Sequence, residues 1–334
     1  MLVYPETKIY VLCPGNNRSS TADICHELCA ALIKAGIKTF MVYLPANDNF
    51  NPANPVDEIY KKYNIPYDNG VEDSEKNILI APEIAVNFLY FTRKTRRIIF
   101  WLNVHNFLRD IAVKTADHFE EILNRPMPKF FSFNPYDSDI EHWAQSEYAR
   151  QFLKINGVAD EKIFTVTDFI NQKFFDAPPV KNSAKKNLIA YRQIKGSDFT
   201  DIVQALTAAY EWQPVESFTP ENIQKLFGAA KVYVDFGDHP AKGKLVREAA
   251  ILNCVVVTSL HGAAANDIDI NISDEFKFEE TIEDAKKAAK KIQAAMENFD
   301  VELSRQNNFR EKILREKELF VEQVKAALEI FRIP

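Results

Sequence analysis

Glycine and cysteine are both scarce in this chain, with 9 and 4 residues among 334. The first strand-like run, KIYVLC at 8–13, leads into a turn with a single glycine, Gly15. The dinucleotide-binding fingerprint GxGxxG needs three glycines at such a turn, so the chain does not open with that motif. The cysteines lack paired CxxC spacing and fall on predicted strands or on an apolar helix face. We therefore expect buried thiols in a reducing compartment.

Long apolar runs are missing as well. No run approaches the 18 consecutive apolar residues of a membrane-spanning helix. The N-terminus lacks a basic segment followed by an apolar core, so we expect no signal peptide. The net charge of −6 argues against a general nucleic-acid binder. A chain of 334 residues with 46% apolar and 26% charged side chains suits a globular protein of two domains. We expect it in the cytoplasm.

Strand-like and helical patterns alternate along the chain, with one interruption. The segment 171–186 combines two prolines with several lysines and has no apolar period, as linkers do. On each side of it, apolar runs followed by helical patterns predict parallel strands with crossover helices. The predicted fold is α/β, with two Rossmann-like domains that face a ligand cleft. Strands are expected at 8–13, 38–44, 77–81, 97–102, 129–133 and 162–167, then at 187–191, 232–236 and 254–258, with an edge strand at 267–272.

A basic turn (242–247) follows the strand at 232–236. Lys242, Lys244 and Arg247 lie at or just before the start of a predicted helix, where the helix dipole is positive and acids are preferred. Three cations are costly there unless an anion is bound, and a helix N-terminus already favours phosphate. The turn therefore predicts a phosphate site. The alternative is a solvated helix start.

Further candidates lie in comparable turns. Glu248, one turn into the same helix, could accept hydrogen bonds from a ribose diol or pair with a lysine of the basic turn. Lys195, in the first strand-to-helix turn of the second half, could reach the same phosphates. His239 and His105 follow the carboxyl ends of predicted parallel strands, where α/β folds bind ligands. Histidine suits proton exchange near neutral pH, although a lone histidine is more often structural.

Metal binding has little support in the sequence. His26 and Glu27 begin an HExxH pattern, but Ala30 stands where the second histidine is needed. The DxD spacing at 137–139 lies in a loop-like setting rather than after a strand. We expect no metal and no cofactor.

A basic cluster in the first half could contact an anionic membrane surface. Charge runs of this kind are more often solvated, so this peripheral contact is the weaker alternative. The cluster consists of Arg93, Lys94, Arg96 and Arg97.

The second half of the chain resembles a known family. The stretch DFGDHPAKGKLVREAAILNCVVVTSLHGAAANDIDI (235–270) looks like the second-domain signature of bacterial GT-B-type glycosyltransferase-like proteins linked to surface-polysaccharide synthesis. The preceding IAYRQIKGSDFT (189–200) is similar to their strand-to-helix turn with Tyr and Lys-Gly. The likeness covers about 187–275, and the first half matches only in its general pattern. It extends, more distantly, to the retaining GT-B enzymes.

The resemblance implies a nucleotide-diphosphate sugar as substrate and a role for each matching position. Lys195 with Lys242 or Arg247 would hold the diphosphate, and Glu248 the ribose. The retaining enzymes carry E-x7-E, but Pro240 stands eight residues before that glutamate, so the first acidic role is unassigned. The candidate residues are His105 and His239 as catalytic groups; Tyr191, Lys195, Lys242, Lys244, Arg247, Glu248, Thr258, Gly262 and Ala263 at the donor; and Gly15, Asn16 and Asn17 on the acceptor side.

The sequence thus predicts a metal-independent GT-B glycosyltransferase that acts on a glycan or lipid-linked acceptor in surface-polysaccharide synthesis. A nucleotide-sugar epimerase on the same fold and a non-catalytic partner of a polysaccharide assembly complex are the alternatives. A periplasmic binding protein would also have two α/β lobes, but the missing signal peptide counts against it. The predicted division is 1–170, a linker at 171–186, and 187–314, with a last helix at 315–334 that packs back on the first domain.

Overall fold

The chain divides into two units. A computed structural model describes residues 1–45, 50–109, 131, 133, 137–178, 180–193, 196–216 and 219–330. Unit 1 comprises Met1–Gln145, Ala149–Thr167 and Phe320–Pro334, and unit 2 comprises Ser146–Tyr148 and Asp168–Leu319. The segment 171–186, predicted as a linker, is part of unit 2.

Unit 1 is built on a six-stranded sheet in which every pair of neighbours is parallel, in the order β3-β2-β4-β5-β6-β7. The strands are nearly all buried, as expected of a parallel sheet that is covered on both faces. They are β2 (Lys8–Pro14), β3 (Lys38–Leu44), β4 (Ile78–Pro82), β5 (Arg96–Trp101), β6 (Glu141–Ala144) and β7 (Ile163–Thr165); β1 (Leu2–Val3) pairs separately with β13 (Glu329–Ile330).

The helices of unit 1 begin at polar caps. The hydroxyl of Ser19 accepts from the backbone NH of Ala22 (3.2 Å) and so caps the first helix. The helices are α1 (Ser20–Lys34) and α2 (Glu147–Ile155), with 3₁₀ helices at Glu58–Tyr63, Glu83–Phe91 and Asp160–Lys162 and a helical segment at 104–109.

One strand of unit 1, β6, was not among the strands predicted from the sequence. The strand expected at 129–133 lies mostly outside the described residues, and β6 occupies the next place in the sheet. With only four residues, EHWA, β6 is too short to show a period. His142 in this strand is buried and accepts a hydrogen bond from Trp101 Nε1 (3.0 Å). Burial lowers the pKa of His142 to about 4.

Unit 2 contains a five-stranded sheet, also parallel throughout, in the order β12-β11-β10-β8-β9. Its strands are β8 (Lys186–Tyr191), β9 (Glu211–Pro214), β10 (Ala230–Asp235), β11 (Val255–Ser259) and β12 (Lys277–Phe278). Its helices are α3 (Gln172–Phe175), α4 (Ser197–Leu206), α5 (Pro220–Ala229), α6 (Lys244–Ile251), α7 (Ile282–Glu297), α8 (Phe299–Ser304) and α9 (Asn307–Ala327), of which α9 continues into unit 1.

The edge strand predicted at 267–272 is wrong. The Asn266 side chain accepts from the backbone NH groups of Ile268 (3.0 Å) and Asp269 (2.8 Å), which forms a turn in place of a strand. The strand at this edge is β12, which pairs with β11. The local hydrogen bonds of Asn266 therefore outweigh the alternating pattern DIDINI, which had predicted a strand.

Each sheet has one point at which the chain connections diverge. In unit 2, β8 connects to β9 on one side, whereas β10 connects to β11 on the other. In unit 1, the same divergence separates β2 from β4. Open α/β sheets bind ligands at the carboxyl ends of the strands at such switch points. These two places are therefore where a site is expected.

Candidate functional site

The turns after β8 and β10 meet at the switch point of unit 2. Gly196 (φ +56°) and Gly237 (φ +96°) are both left-handed. A Cβ atom on Gly196 would lie 2.9 Å from the Gly237 nitrogen and from the backbone carbon of Phe236. The two turns can approach this closely only because residue 196 has no side chain.

Two helices begin at these turns without a side-chain cap. Gly196 is the N-cap of α4, and Gly243 (φ +67°) is the N-cap of α6. Uncapped NH groups at the positive end of a helix favour anions. The switch point of unit 2 thus combines two helix N-termini, which is an arrangement suited to a phosphate group.

Buried polar side chains lie at the strand ends beside these turns. Asp235 and Thr258 are paired in register on β10 and β11, and Tyr233 donates to Asp235 Oδ2 (3.0 Å). Asp235 Oδ1 and Thr258 Oγ1 are buried and have no hydrogen-bond partner within the described part of the chain. Burial raises the pKa of Tyr233 well above its usual value. The charges of Asp235 and the buried Glu248 act in the same direction, and the charge of nearby Arg192 opposes them. A ligand with hydroxyl or amide groups could satisfy these oxygens.

Sequence reasoning undervalued two members of this group. Neither Asp235 nor Arg192 is among the site residues predicted from the sequence. Both follow the usual signal of a polar residue at the end of an apolar strand. Thr258 and Glu248, which were predicted, are brought to the same place.

The loop that contains Gly262 and Ala263 is hydrogen-bonded to the turn after β10. The His239 carbonyl accepts from Ala263 NH (2.7 Å), and a Cβ atom on Gly262 (φ +59°) would collide with that carbonyl. The His239 ring is buried, with Nε2 3.0 Å from the carbonyl oxygen of Asp235. Gly262 and Ala263 thus lie beside the predicted donor site. These contacts indicate that His239 has a structural role. Its catalytic role stays a prediction.

Two of the three cations of the basic turn are neutralised by carboxylates of the chain itself. Lys242 Nζ lies 2.6 Å from Glu316 Oε1, Arg247 Nη1 lies 2.8 Å from Glu316 Oε2, and Arg247 Nη2 lies 2.7 Å from Asp168 Oδ2. Burial lowers the pKa of Arg247, but the two carboxylates more than offset this and raise it. Two cations and two anions leave no net charge. The unfavourable position of these cations at a helix start is therefore offset internally, and their predicted role as diphosphate ligands stays a prediction.

Three donor-side candidates remain, namely Lys244, Tyr191 and Lys195. Lys244 is half-buried at the first position of α6. Tyr191 ends β8, and its ring packs edge-on against Trp212 with the centroids 5.5 Å apart. Lys195 lies outside the described residues. The roles of all three stay predictions.

On unit 1, the predicted acceptor-side turn holds a neighbouring loop. Asn16 has a left-handed φ of +46°; its NH donates to Pro55 O and its Nδ2 to Asn54 O (both 2.9 Å), while its Oδ1 accepts from Asn51 NH (2.7 Å). Asn17 Oδ1 is buried and has no hydrogen-bond partner among the described residues. Asn16 therefore shapes the loop 50–55, and a direct contact with an acceptor remains a prediction.

A buried acid that sequence reasoning missed, Glu83, directly follows β4 at the switch point of unit 1. Its carboxylate accepts from Leu102 NH (3.0 Å) and Asn106 Nδ2 (3.4 Å). It thereby supports the turn that carries His105, which is half-buried after β5. Burial raises the pKa of Glu83 to about 7. The run NILIAPE, an apolar strand that ends in an acid, could have indicated it.

Replacing Glu83 with Gln should change the pH dependence of stability. A carboxyl group whose pKa is raised on folding stabilises the protein fully below its unfolded pKa, 4.5, and this contribution is lost as the pH rises through 7. The unfolding free energy of the Glu83→Gln variant, relative to wild type, should therefore increase by about 3 kcal/mol from pH 4.5 to 8. Urea unfolding across this range measures it. The exposed Glu75→Gln should show a flat difference, and a flat difference for Glu83→Gln would disprove the assignment.

Other predicted interactions have limited structural support. In the described part of the chain, no three His, Cys, Asp or Glu side chains gather as metal ligands. No helix there is long and apolar enough to cross a bilayer. In the basic cluster, Arg97 pairs with Asp139 (2.7 Å) and Arg96 donates to backbone carbonyls, so only Arg93 and Lys94 are exposed. A membrane contact of the cluster stays a prediction.

No protein-family model and no curated protein sequence matches this chain. Solved structures do resemble it. HepE (Alr3699) of Anabaena in complex with UDP-glucose superposes with a TM-score of 0.62 at 12% identity, over 96% of this chain and 99% of that chain. BGT of phage T4 with its UDP-glucose substrate gives 0.53 at 12%, over 96% and 99%. Sucrose-phosphate synthase of Thermosynechococcus elongatus gives 0.55 at 12%, over 96% and 98%.

These structures share the GT-B fold. The prediction of two Rossmann-like α/β domains of the GT-B type is therefore confirmed. At such low identity the likeness establishes the fold alone. The individual sequence signature in 235–270 is not tested by it.

Proposed function

We propose that this chain is a glycosyltransferase that moves a sugar from a nucleoside-diphosphate donor to a glycan or lipid-linked acceptor in surface-polysaccharide synthesis. The observation that carries the proposal is the switch point of unit 2, where two uncapped helix N-termini and buried polar oxygens lie together. The UDP-glucose bound to HepE and to BGT supports a nucleotide sugar as donor. The surface-polysaccharide role rests on the resemblance of 235–270.

The donor diphosphate lies at the N-termini of α4 and α6 in this proposal. Gly196 and Gly243 begin these helices without a side-chain cap, and Arg192, which directly follows β8, supplies positive charge. Lys195, as predicted from the sequence, would add a second charge. Lys242 and Arg247 already pair with Glu316, so in this proposal they stabilise the start of α6 rather than bind the phosphate. The sequence predicted that the cations of the basic turn bind the phosphate, whereas this proposal assigns that task to the two helix N-termini.

The remaining donor contacts follow from the chemistry of the ribose and the sugar. Glu248 accepts hydrogen bonds from the ribose hydroxyls, because a carboxylate binds a vicinal diol well. Asp235 and Thr258 offer buried oxygens to hydroxyl or amide donors of the ligand. Fixed helix dipoles and cations stabilise the charge that develops on the departing diphosphate. His105, on unit 1, remains the candidate for proton transfer from the acceptor.

Thermal shifts with UDP, GDP, CDP and ADP sugars would test donor binding. At least one should raise the melting temperature of the wild type by several degrees, because ligands that bind only the folded state stabilise it. The Glu248→Gln variant should lose most of this shift, whereas Glu297→Gln, an exposed change on α7, should keep it. No shift with any nucleotide would overturn the proposal.

Turnover assays would then separate the candidate activities. Release of nucleoside diphosphate only when a glycan or lipid-linked sugar is added indicates transfer. Conversion of the donor sugar without an acceptor, followed by NMR, would indicate the epimerase instead. Binding without turnover in either assay would favour the non-catalytic partner.

A further inference from the structure

A cavity of about 510 Å³ opens on unit 1 beside the end of β3. This volume lies within the range of small-molecule sites, about 300–1,000 Å³. One part of its lining is aromatic or prolyl, and another part is polar. The lining includes Tyr43, Phe50, Pro55, Tyr67, Asp68 and Asn69.

Backbone hydrogen bonds fix the walls of this cavity. Met41 NH donates to Pro66 O and Asp68 NH donates to Met41 O, both at 2.9 Å, so the segment 66–68 extends the sheet along the edge of β3. The opposite wall, 50–55, is held by the three hydrogen bonds of Asn16. The cavity is therefore formed before any ligand arrives.

A hydrogen bond and ring packing also fix the aromatic side chains of the cavity lining. The Tyr43 hydroxyl is 2.9 Å from His26 Nε2, which fixes that ring in the cavity wall. Tyr67 packs edge-on against it, with centroids 5.8 Å apart, yet remains 45% exposed. A Cβ atom on Gly15 would collide with the Phe50 ring. The glycine predicted on the acceptor side is thus needed for the shape of this cavity.

The lining chemistry indicates a neutral polyhydroxyl ligand. An exposed aromatic ring packs against the apolar CH face of a sugar, and the neighbouring Asp68 and Asn69 can bind its hydroxyl groups. The cavity lining, as far as the structure describes it, contains no lysine or arginine. A phosphate or nucleotide in the cavity would therefore meet the negative charge of Asp68 in the lining.

We infer that this cavity binds a pyranose ring of the acceptor, with Tyr67 as the stacking platform and Asp68 as the hydroxyl acceptor. The identification of this sugar as part of the acceptor rests on the proposed function. The binding of a pyranose does not, because the cavity lies wholly within unit 1.

Saturation-transfer NMR with the methyl glycosides of glucose, galactose and N-acetylglucosamine tests this inference. At least one glycoside should bind the wild type. Tyr67→Ala should weaken its binding about tenfold, the equivalent of one aromatic contact. Asp68→Asn should weaken it as well. Tyr4→Ala, which removes a tyrosine of similar exposure elsewhere on unit 1, should leave it unchanged.

Two results would overturn the inference: absence of binding by all three glycosides, or equal binding by wild type and Tyr67→Ala. Nucleotide affinity, measured on the same variants, should not change. If nucleotides fail to bind but a glycoside binds through Tyr67, the proposed transfer function fails while the pyranose site stands. Far-ultraviolet circular dichroism of each variant checks that the fold is retained.

Discussion

Gly196→Ala should weaken nucleotide binding at least tenfold and lower the free energy of unfolding by about 3 kcal/mol. An alanine at φ +56° is strained, and its Cβ would press on the backbone of Phe236 and Gly237 at 2.9 Å. Neither neighbour is a flexible side chain, so the turn after β8 or the turn after β10 must move. That movement displaces the N-terminus of α4 or the loop that leads to α6. Isothermal titration with UDP and urea unfolding measure the two effects.

Gly228→Ala is the matched control for this change. Gly228 lies inside α5, where a Cβ atom meets nothing within 4 Å. Alanine favours a helix over glycine, so this variant should be as stable as wild type or up to about 1 kcal/mol more stable. It should also bind UDP with unchanged affinity. Equal behaviour of the two alanine variants would contradict the close approach of the two turns and their part in donor binding.

Glu316→Gln should destabilise unit 2 by about 3–5 kcal/mol. Glutamine keeps the shape of the side chain but removes the charge that Lys242 and Arg247 share. Asp168 then remains as one carboxylate for two buried cations, and a buried charge without compensation is costly. Urea unfolding at pH 7 and low ionic strength gives the difference directly.

Glu318→Gln is the control, because Glu318 lies two residues further along α9 and is exposed. It should change the unfolding free energy by no more than about 0.5 kcal/mol. A Glu316→Gln variant as stable as this control would refute the buried network. A gain in affinity for inorganic pyrophosphate in Glu316→Gln would assign the basic turn to the donor phosphates, as the sequence first indicated.

Local patterns predicted much of the fold. The second long strand was expected at 38–44 and is found there, because its apolar run is bounded by glycine and proline. Thr219 caps α5 and is followed by proline at the first helical position, a local pattern typical of a helix start. Such elements depend on residues within a few positions of one another, which a sequence displays directly.

The site could be predicted only in part, because its contacts span long distances in the sequence. Glu316 is 74 residues from Lys242 and 69 from Arg247, and no local pattern joins them. The contact between the turns at Gly196 and Gly237 depends on β8 and β10 being neighbours, which follows from strand order. The sequence shows the positive charge of the basic turn, but it does not show that Glu316 pairs with that turn.

Selective ¹⁵N-glycine labelling offers the most direct test of donor binding at unit 2, since the chain has only 9 glycines. Titration with UDP-glucose should shift the amide signals of Gly196, Gly237 and Gly243, which surround the proposed diphosphate site. The signals of Gly36 and Gly70, on unit 1, should not move. Unchanged signals at all three unit 2 positions, or shifts confined to unit 1, would contradict a nucleotide-sugar site at this switch point.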